Sequence, residues 1–228
     1  MPERTPKIAY LTAGAAGMYC GSCMHDNTLA SALTRLGVDV QLIPTYTPIR
    51  TDEEDVSIDQ VFFGGINVFF EQQIPGYRFL PGFMRSLLDR PNLIRWATKG
   101  AASTSAKSLG ALTVSMLRGD QGYQATEVTK ICDWLSKTVH PDLVNFSNVM
   151  IAGCVAHLKR ELNVPVFVTL QGDDIFLDSL PEPYKSRAFD EIRKLVEHID
   201  AFLTHSQYYA RFMSEYLDIP PEKFRVVP

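Results

Sequence analysis

Long apolar runs are missing from this chain. No stretch approaches the roughly 20 apolar residues of a membrane-spanning helix, and the run Ile8 to Leu11 near the start is too brief for a signal-peptide core. Cysteine is scarce. Cys20, Cys23, Cys132 and Cys154 do not form the two CxxC pairs of a zinc site, and with no secretory context they read as reduced thiols of a cytoplasmic protein. A basic excess is also missing: 22 Lys and Arg against 26 Asp and Glu leave a net charge of -4, which excludes a general nucleic-acid binder. Repeats and low-complexity tracts are absent too. What remains is an ordinary globular composition, 46% apolar and 21% charged over 228 residues. A domain of that length buries about 70% of its unfolded surface and needs neither a disulfide nor a structural metal.

Short apolar runs alternate with amphipathic segments, the pattern of a parallel sheet covered by helices. Strands are expected at Lys7 to Thr12, Val38 to Pro44, Leu143 to Phe146, Val166 to Leu170, Ala201 to Thr204 and Phe224 to Val227. Between them, helical spacing runs from Leu29 to Leu36 and stops at Gly37. It returns over Ala125 to Val139, Ile151 to Leu162, Glu182 to His198 and Gln207 to Leu217. Gly64-Gly65 between Asp59 to Phe63 and Ile66 to Phe70 reads as a hairpin. From Glu71 to Gly122, proline and glycine punctuate short helical pieces. The fold class is α/β, a Rossmann-like, doubly wound, mostly parallel sheet with helices on both faces. Ligands of such sheets bind beyond the carboxyl ends of the strands, which directs attention to the loops after Thr12, Phe146, Leu170 and Thr204.

The first of these loops runs from Ala13 through Gly14, Gly17 and Gly21 to Ser22 ahead of a helix. Small residues let backbone amides approach an anion there, helped by the helix dipole. A dinucleotide fingerprint needs G-x-G-x-x-G and an acidic residue ending the second strand. The loop has no such glycine pair, and the strand ends in Pro44-Thr45-Tyr46, so NAD is not expected while a phosphate or diphosphate remains open. Cys20-Gly21-Ser22-Cys23 has the spacing of redox-active dithiols at a helix start; plain packing and a metal site completed by His25 are the other readings. Gln171-Gly172-Asp173-Asp174 follows the fourth strand. Its carboxylates could serve acid-base or metal chemistry, or point apart, with one of them capping the next helix.

Four stretches together resemble the N-terminal domain of a family 4 glycosyltransferase of the retaining GT-B kind. Lys7 to Val40 resembles the family's opening strand, glycine loop and helix, closing on Leu33 to Val40 as "L-x-x-x-G-h-x-V". Asp142 to Ser147 resembles "D-h-h-H-x-H", and Val164 to Asp174 resembles "h-P-h-h-h-T-h-H-G-x-D". Asp200 to Pro228 is similar to "D-x-h-h-x-x-S" followed by "P-x-E-K-h-x-V-h-P". The stretch from about Arg50 to Gly122 adds little to the likeness.

The resemblance implies transfer of a hexose-type sugar from a nucleotide diphosphate-sugar to an acceptor, without metal ion or other cofactor. Residues 1–228 would form the acceptor-side domain, with a basic helical insertion at about 71–122. A donor-binding second domain would begin beyond Pro228, and this chain alone would be inactive. The glycine approaching the donor diphosphate is Gly17, by likeness to relatives carrying the string M-Y-C-G-S-C, or Gly21, by gap-free counting from the helix. Substrate contacts are implied for Asn145, Ser147, Gln171, Gly172, Asp174 and Ser206. Gln171 stands in place of a family histidine, and Asn145 and Ser147 in place of two more. Amides and a hydroxyl can bond sugar hydroxyls but cannot donate the charge-assisted bond of a protonated imidazole. A standalone sugar- or nucleotide-binding domain and a redox-responsive CxxC protein are the alternative readings.

A further signal comes from charge. Arg78, Arg85, Arg90, Arg95, Lys99, Lys107 and Arg118 face one acid, Asp89, giving +6 over residues 78–118 and leaving -10 for the rest. Apolar residues interleave with them at helical spacing. Such helices dock on anionic surfaces or surround anionic acceptors, or else pack on the sheet with their charges solvated. On the first of these readings the acceptor is anionic or at a membrane surface, with a peripheral place on the inner membrane face left open.

Overall fold

The computed structural model describes residues 5–14, 19–62 and 106–228. Among them six strands form one parallel sheet: β1 (Lys7–Thr12), β2 (Asp39–Pro44), β3 (Leu143–Phe146), β4 (Val166–Thr169), β5 (Ala201–Thr204) and β6 (Phe224–Val226), in the spatial order β2-β1-β3-β4-β5-β6. The described helices are α1 (Gly21–Arg35), α2 (Ala106–Leu117), α3 (Ala125–Trp134), α4 (Val155–Glu161), α5 (Asp173–Asp178), α6 (Tyr184–Val196) and α7 (Gln207–Leu217).

The expected strands agree with these to within a residue at each end. Two expected helices are less regular than their periodicity suggests. The segment after α3 widens into a π-helical turn, Leu135–Val139, and Val149–Cys154 is a 3-10 turn ahead of α4. The expected hairpin differs more. Residues 59–62 carry no strand, and among the described residues nearby Ser57 forms a single parallel bridge to Leu42. The remainder of that hairpin, and the basic insertion up to residue 105, lie outside the described residues.

Strand order reverses between β2-β1 and β3 through β6, so successive crossovers cover opposite faces of the sheet. Side-chain alternation divides accordingly. Ala9, Leu11, Ile43, Val144, Phe146, Val166 and Val168 point into the large core under α3, α4 and α6. Tyr10 and Leu42 point the other way, against Cys23 and Ala30 of α1. Near its carboxyl end this second face turns polar. Tyr10 and Thr12 of β1, Asn145 of β3 and Thr169 of β4 share it by register and are all buried.

Candidate functional site

The point where strand order reverses lies between β1 and β3, and at their carboxyl ends the buried polar face meets one charge. Asp26, in the second turn of α1, is 0% exposed. The Tyr10 hydroxyl donates to its Oδ1 at 2.9 Å, the Thr12 hydroxyl to its Oδ2 at 2.7 Å, and Gln171 Nε2 to its Oδ1 at 2.9 Å. A buried carboxylate is costly unless donors replace its water, and here three do. Burial, reinforced by the Asp26 charge, drives the Tyr10 phenol far above its ordinary range, so it stays a donor. Gln171 also donates to the Ser147 carbonyl at 3.1 Å, while the Asn145 amide exchanges hydrogen bonds with the Thr169 hydroxyl. Three strand ends and α1 are thereby bound into one bed.

The second expected cluster separates as neighbouring carboxylates do. Asp173 points inward and accepts from the backbone N–H of Val149 at 2.7 Å and of Gln171 at 2.8 Å. Burial pushes its carboxyl up to about 6, against the pull of those two N–H groups. Asp174 accepts from the Tyr209 hydroxyl at 2.7 Å, and the same hydroxyl accepts from the Gly172 N–H at 3.0 Å. Neither carboxylate caps α5, because Gly172 holds the cap position in the left-handed region, with φ 85°. Ser206 caps α7, accepting from the Tyr209 N–H at 3.2 Å. The substrate contacts expected from sequence thus fall at one end of the sheet. Asn145 and Ser147 are buried in the bed, Gln171 spans it, and Gly172, Asp174 and Ser206 converge on Tyr209.

Of the two glycines expected at a diphosphate, Gly17 lies outside the described residues. Gly21 opens α1, and a Cβ there would meet nothing within 4 Å. The position that demands glycine is Gly14: its φ is 77°, and a Cβ would sit 2.1 Å from the Thr47 carbonyl oxygen. No acidic residue occupies the first turn of α1, which leaves the positive end of its dipole uncompensated.

Beside the bed, His25 Nδ1 lies 3.5 Å from Asp26 Oδ1 without a hydrogen bond, and its ring meets His205 edge-on at 4.9 Å between centroids. On the other face of the sheet edge an apolar cavity of about 260 Å3 opens. Ala13, Tyr46, Leu109, Met116, Asn148 and Phe176 are among its walls, so it adjoins the carboxyl ends of β1, β2 and β3. Among the described residues, no three of His, Cys, Asp and Glu come together as metal ligands, and no helix is long and apolar enough to cross a membrane.

Asp26, Tyr209 and Gly14 were not singled out by sequence. Asp26 had a signal: it shares the buried phase of α1 with Cys23, Asn27 and Ala30, where a charge is out of place unless partnered. Tyr209 had none, because the partners of its hydroxyl lie more than thirty residues away.

Such a sheet, with its polar bed and cavity at the switch point, defines an α/β domain of the doubly wound class. Its family is also evident. The model of Glycosyltransferase Family 4 matches residues 113–228, 116 of the 228 residues, and the chain belongs to that family. A comparison with curated proteins gives no match. Among solved structures, the chain is similar to UDP-N-acetylglucosamine 2-epimerase from Rickettsia bellii at 16% identity and a TM-score of 0.44, over 96% of this chain and 44% of that one. It is also similar to the glycosyltransferase SnogD from Streptomyces nogalater at 12% identity and a TM-score of 0.40, over 99% of this chain and 50% of that one. The chain spans about half the length of these structures.

Proposed function

We propose that this chain is the acceptor-side lobe of a glycosyltransferase that moves a sugar from a nucleotide diphosphate-sugar to an acceptor hydroxyl. The observation that carries this reading is positional. The bed from Asn145 through Gln171 to Ser206 lies within the residues matched to the family, and it stands at the carboxyl edge where doubly wound sheets take ligands. The donor diphosphate would lie at the N-terminus of α1, where small residues and the positive end of the helix dipole favour an anion. Gly17 or Gly21 would let it approach. Gln171, Gly172, Asp174 and Ser206 would face the sugar and acceptor, with Asn145 and Ser147 fixing Gln171 from below.

The acceptor would enter beside the apolar cavity. Its expected negative charge, or its place at a membrane surface, rests on the basic run from Arg78 to Arg118. Arg118, within the described residues, is paired with Glu191 at 3.0 Å.

The test is release of nucleoside diphosphate from UDP-, GDP- and ADP-sugars by the protein encoded in the complete reading frame, with and without hydroxyl acceptors. Acceptor-dependent release is expected. Tight nucleotide-sugar binding with no transfer to any acceptor would replace the proposal with a binding domain, and neither binding nor release would overturn it.

A further inference from the structure

We propose that Cys20 and Cys23 form a redox modification site, a dithiol that closes to a disulfide on reaction with a small-molecule disulfide such as oxidised glutathione. This goes beyond the transferase reading, whose chemistry uses no thiol.

The geometry carries the proposal. Cys20 is the N-cap of α1 in an extended conformation, with φ -131° and ψ 128°, and Cys23 is the third residue of the helix. Residues three apart on a helix have Cβ atoms about 5–6 Å apart, and a disulfide needs about 3.5–4.5 Å, so closure takes a shift of about 1–2 Å, at the N-cap residue where the helix begins. The two side chains are near enough for each to shift the ionisation of the other. They also differ in access, since Cys20 is half-buried and Cys23 is only 1% exposed. That is the division of labour of an attacking and a resolving thiol.

Local chemistry reinforces the asymmetry. Partial burial raises the Cys20 thiol, but the Ser22 hydroxyl, 3.0 Å from Sγ, and the N–H groups of Cys23 and Ser22 outweigh it and hold the thiol below its ordinary range. Burial, with the neighbouring Cys20 charge, pushes Cys23 up to about 12. Cys20 is therefore the more readily ionised, attacking thiol and Cys23 the reserve thiol.

The reaction balances in two exchanges. The Cys20 thiolate attacks one sulfur of oxidised glutathione, forming a mixed disulfide and expelling one glutathione thiolate. Cys23 then loses its proton to that thiolate and attacks Cys20 Sγ, and a second glutathione leaves. Two protein thiols are oxidised and one small disulfide is reduced. The modification reaches the candidate site at one point: Cys23 lies against the Thr12 hydroxyl, which also donates to Asp26.

Cys132 and Cys154 supply an internal control, being near each other but buried from solvent. The native reduced chain is exposed to a glutathione redox buffer, acid-quenched, alkylated and peptide-mapped. The peptide bearing Cys20 and Cys23 is expected to lose two hydrogens and escape alkylation, while Cys132 and Cys154 remain thiols. Before oxidation, iodoacetamide should modify Cys20 roughly tenfold faster than the other three. Cys23→Ser should stop the reaction at a glutathione adduct on Cys20. A stable adduct on Cys20 in the native chain, or a Cys20 no more reactive than the buried cysteines, overturns the proposal.

Discussion

Gln171 donates to Asp26 at 2.9 Å across 145 residues of sequence, and that bond ties the first helix to the end of the fourth strand. Asp26 has no solvent to fall back on, and removing it strands the Tyr10, Thr12 and Gln171 donors together. Asp26→Ala is expected to cost about 3 kcal/mol or more, at roughly 1 kcal/mol or above for each buried donor left unpaired. Gln171→Leu should cost about 1–3 kcal/mol for the unfilled carboxylate lone pair. Gln171→His keeps a donor within reach of the carboxylate. It should fall within about 1 kcal/mol of the native chain. Urea unfolding of the three variants decides this, and equal losses for Leu and His would show that the bond does not matter.

Asp173 makes stability depend on pH in a direction opposite to most carboxylates. Its folded value of about 6 exceeds the ordinary 3.8, because burial penalises the charge more than the N–H groups of Val149, Gln171 and Asp173 favour it. Between roughly pH 4 and 6 the folded chain binds a proton that the unfolded chain does not, so unfolding free energy rises as pH falls through that window. Asp120, Glu191 and Asp200 feel burial too, but Arg160, Lys194 and Lys159 outweigh it and hold them below their ordinary range, as Lys185 does for Asp178. The stability those four bring is present above their ordinary values of 3.8 for the aspartates and 4.5 for Glu191, and is lost as pH falls through their lowered folded values. Thermal unfolding should therefore give a midpoint higher near pH 5 than near pH 7. That gain should vanish in Asp173→Asn; a flat native profile would contradict the buried charge.

The strands were legible because each is a short apolar run ending at a turn, and parallel strands buried on both faces leave little else to read. Irregular turns were not, since Leu135–Val139 and Val149–Cys154 keep helical apolar spacing while their hydrogen bonding changes. The loops of the site were found from motif and topology. Their internal geometry was not, because it depends on partners distant in sequence. Asp174 meets Tyr209 across 35 residues and Asp173 meets Val149 across 24.

Gly14 and Gly21 make opposite predictions from one loop. Gly14→Ala needs a Cβ where the Thr47 carbonyl oxygen already stands, in a left-handed conformation that alanine resists, and should cost about 2 kcal/mol or more. Gly21→Ala enters open space at a helix position and should be neutral, or stabilising by up to about 1 kcal/mol. Because position 21 tolerates a side chain, Gly21→Val is a clean probe of the proposed diphosphate approach. It should stay folded by circular dichroism yet weaken nucleotide-sugar binding at least about tenfold, or 1.4 kcal/mol. Unchanged affinity in the folded variant would move the approach to another residue of the loop.

The apolar cavity separates acceptor from donor effects. Leu109 forms part of its wall from α2 and is 39% exposed, so replacing it with a charged residue should leave the core intact. Leu109→Glu places a negative charge at the cavity mouth, where it disfavours both an apolar group in the cavity and an anionic group beside it. In the transfer assay the acceptor KM is expected to rise about tenfold, equivalent to 1.4 kcal/mol, while the donor KM stays unchanged. Leu109→Met, which keeps volume and polarity, should behave as the native chain does. A Leu109→Glu variant that changes the donor KM instead would place the acceptor elsewhere and give the cavity to the donor.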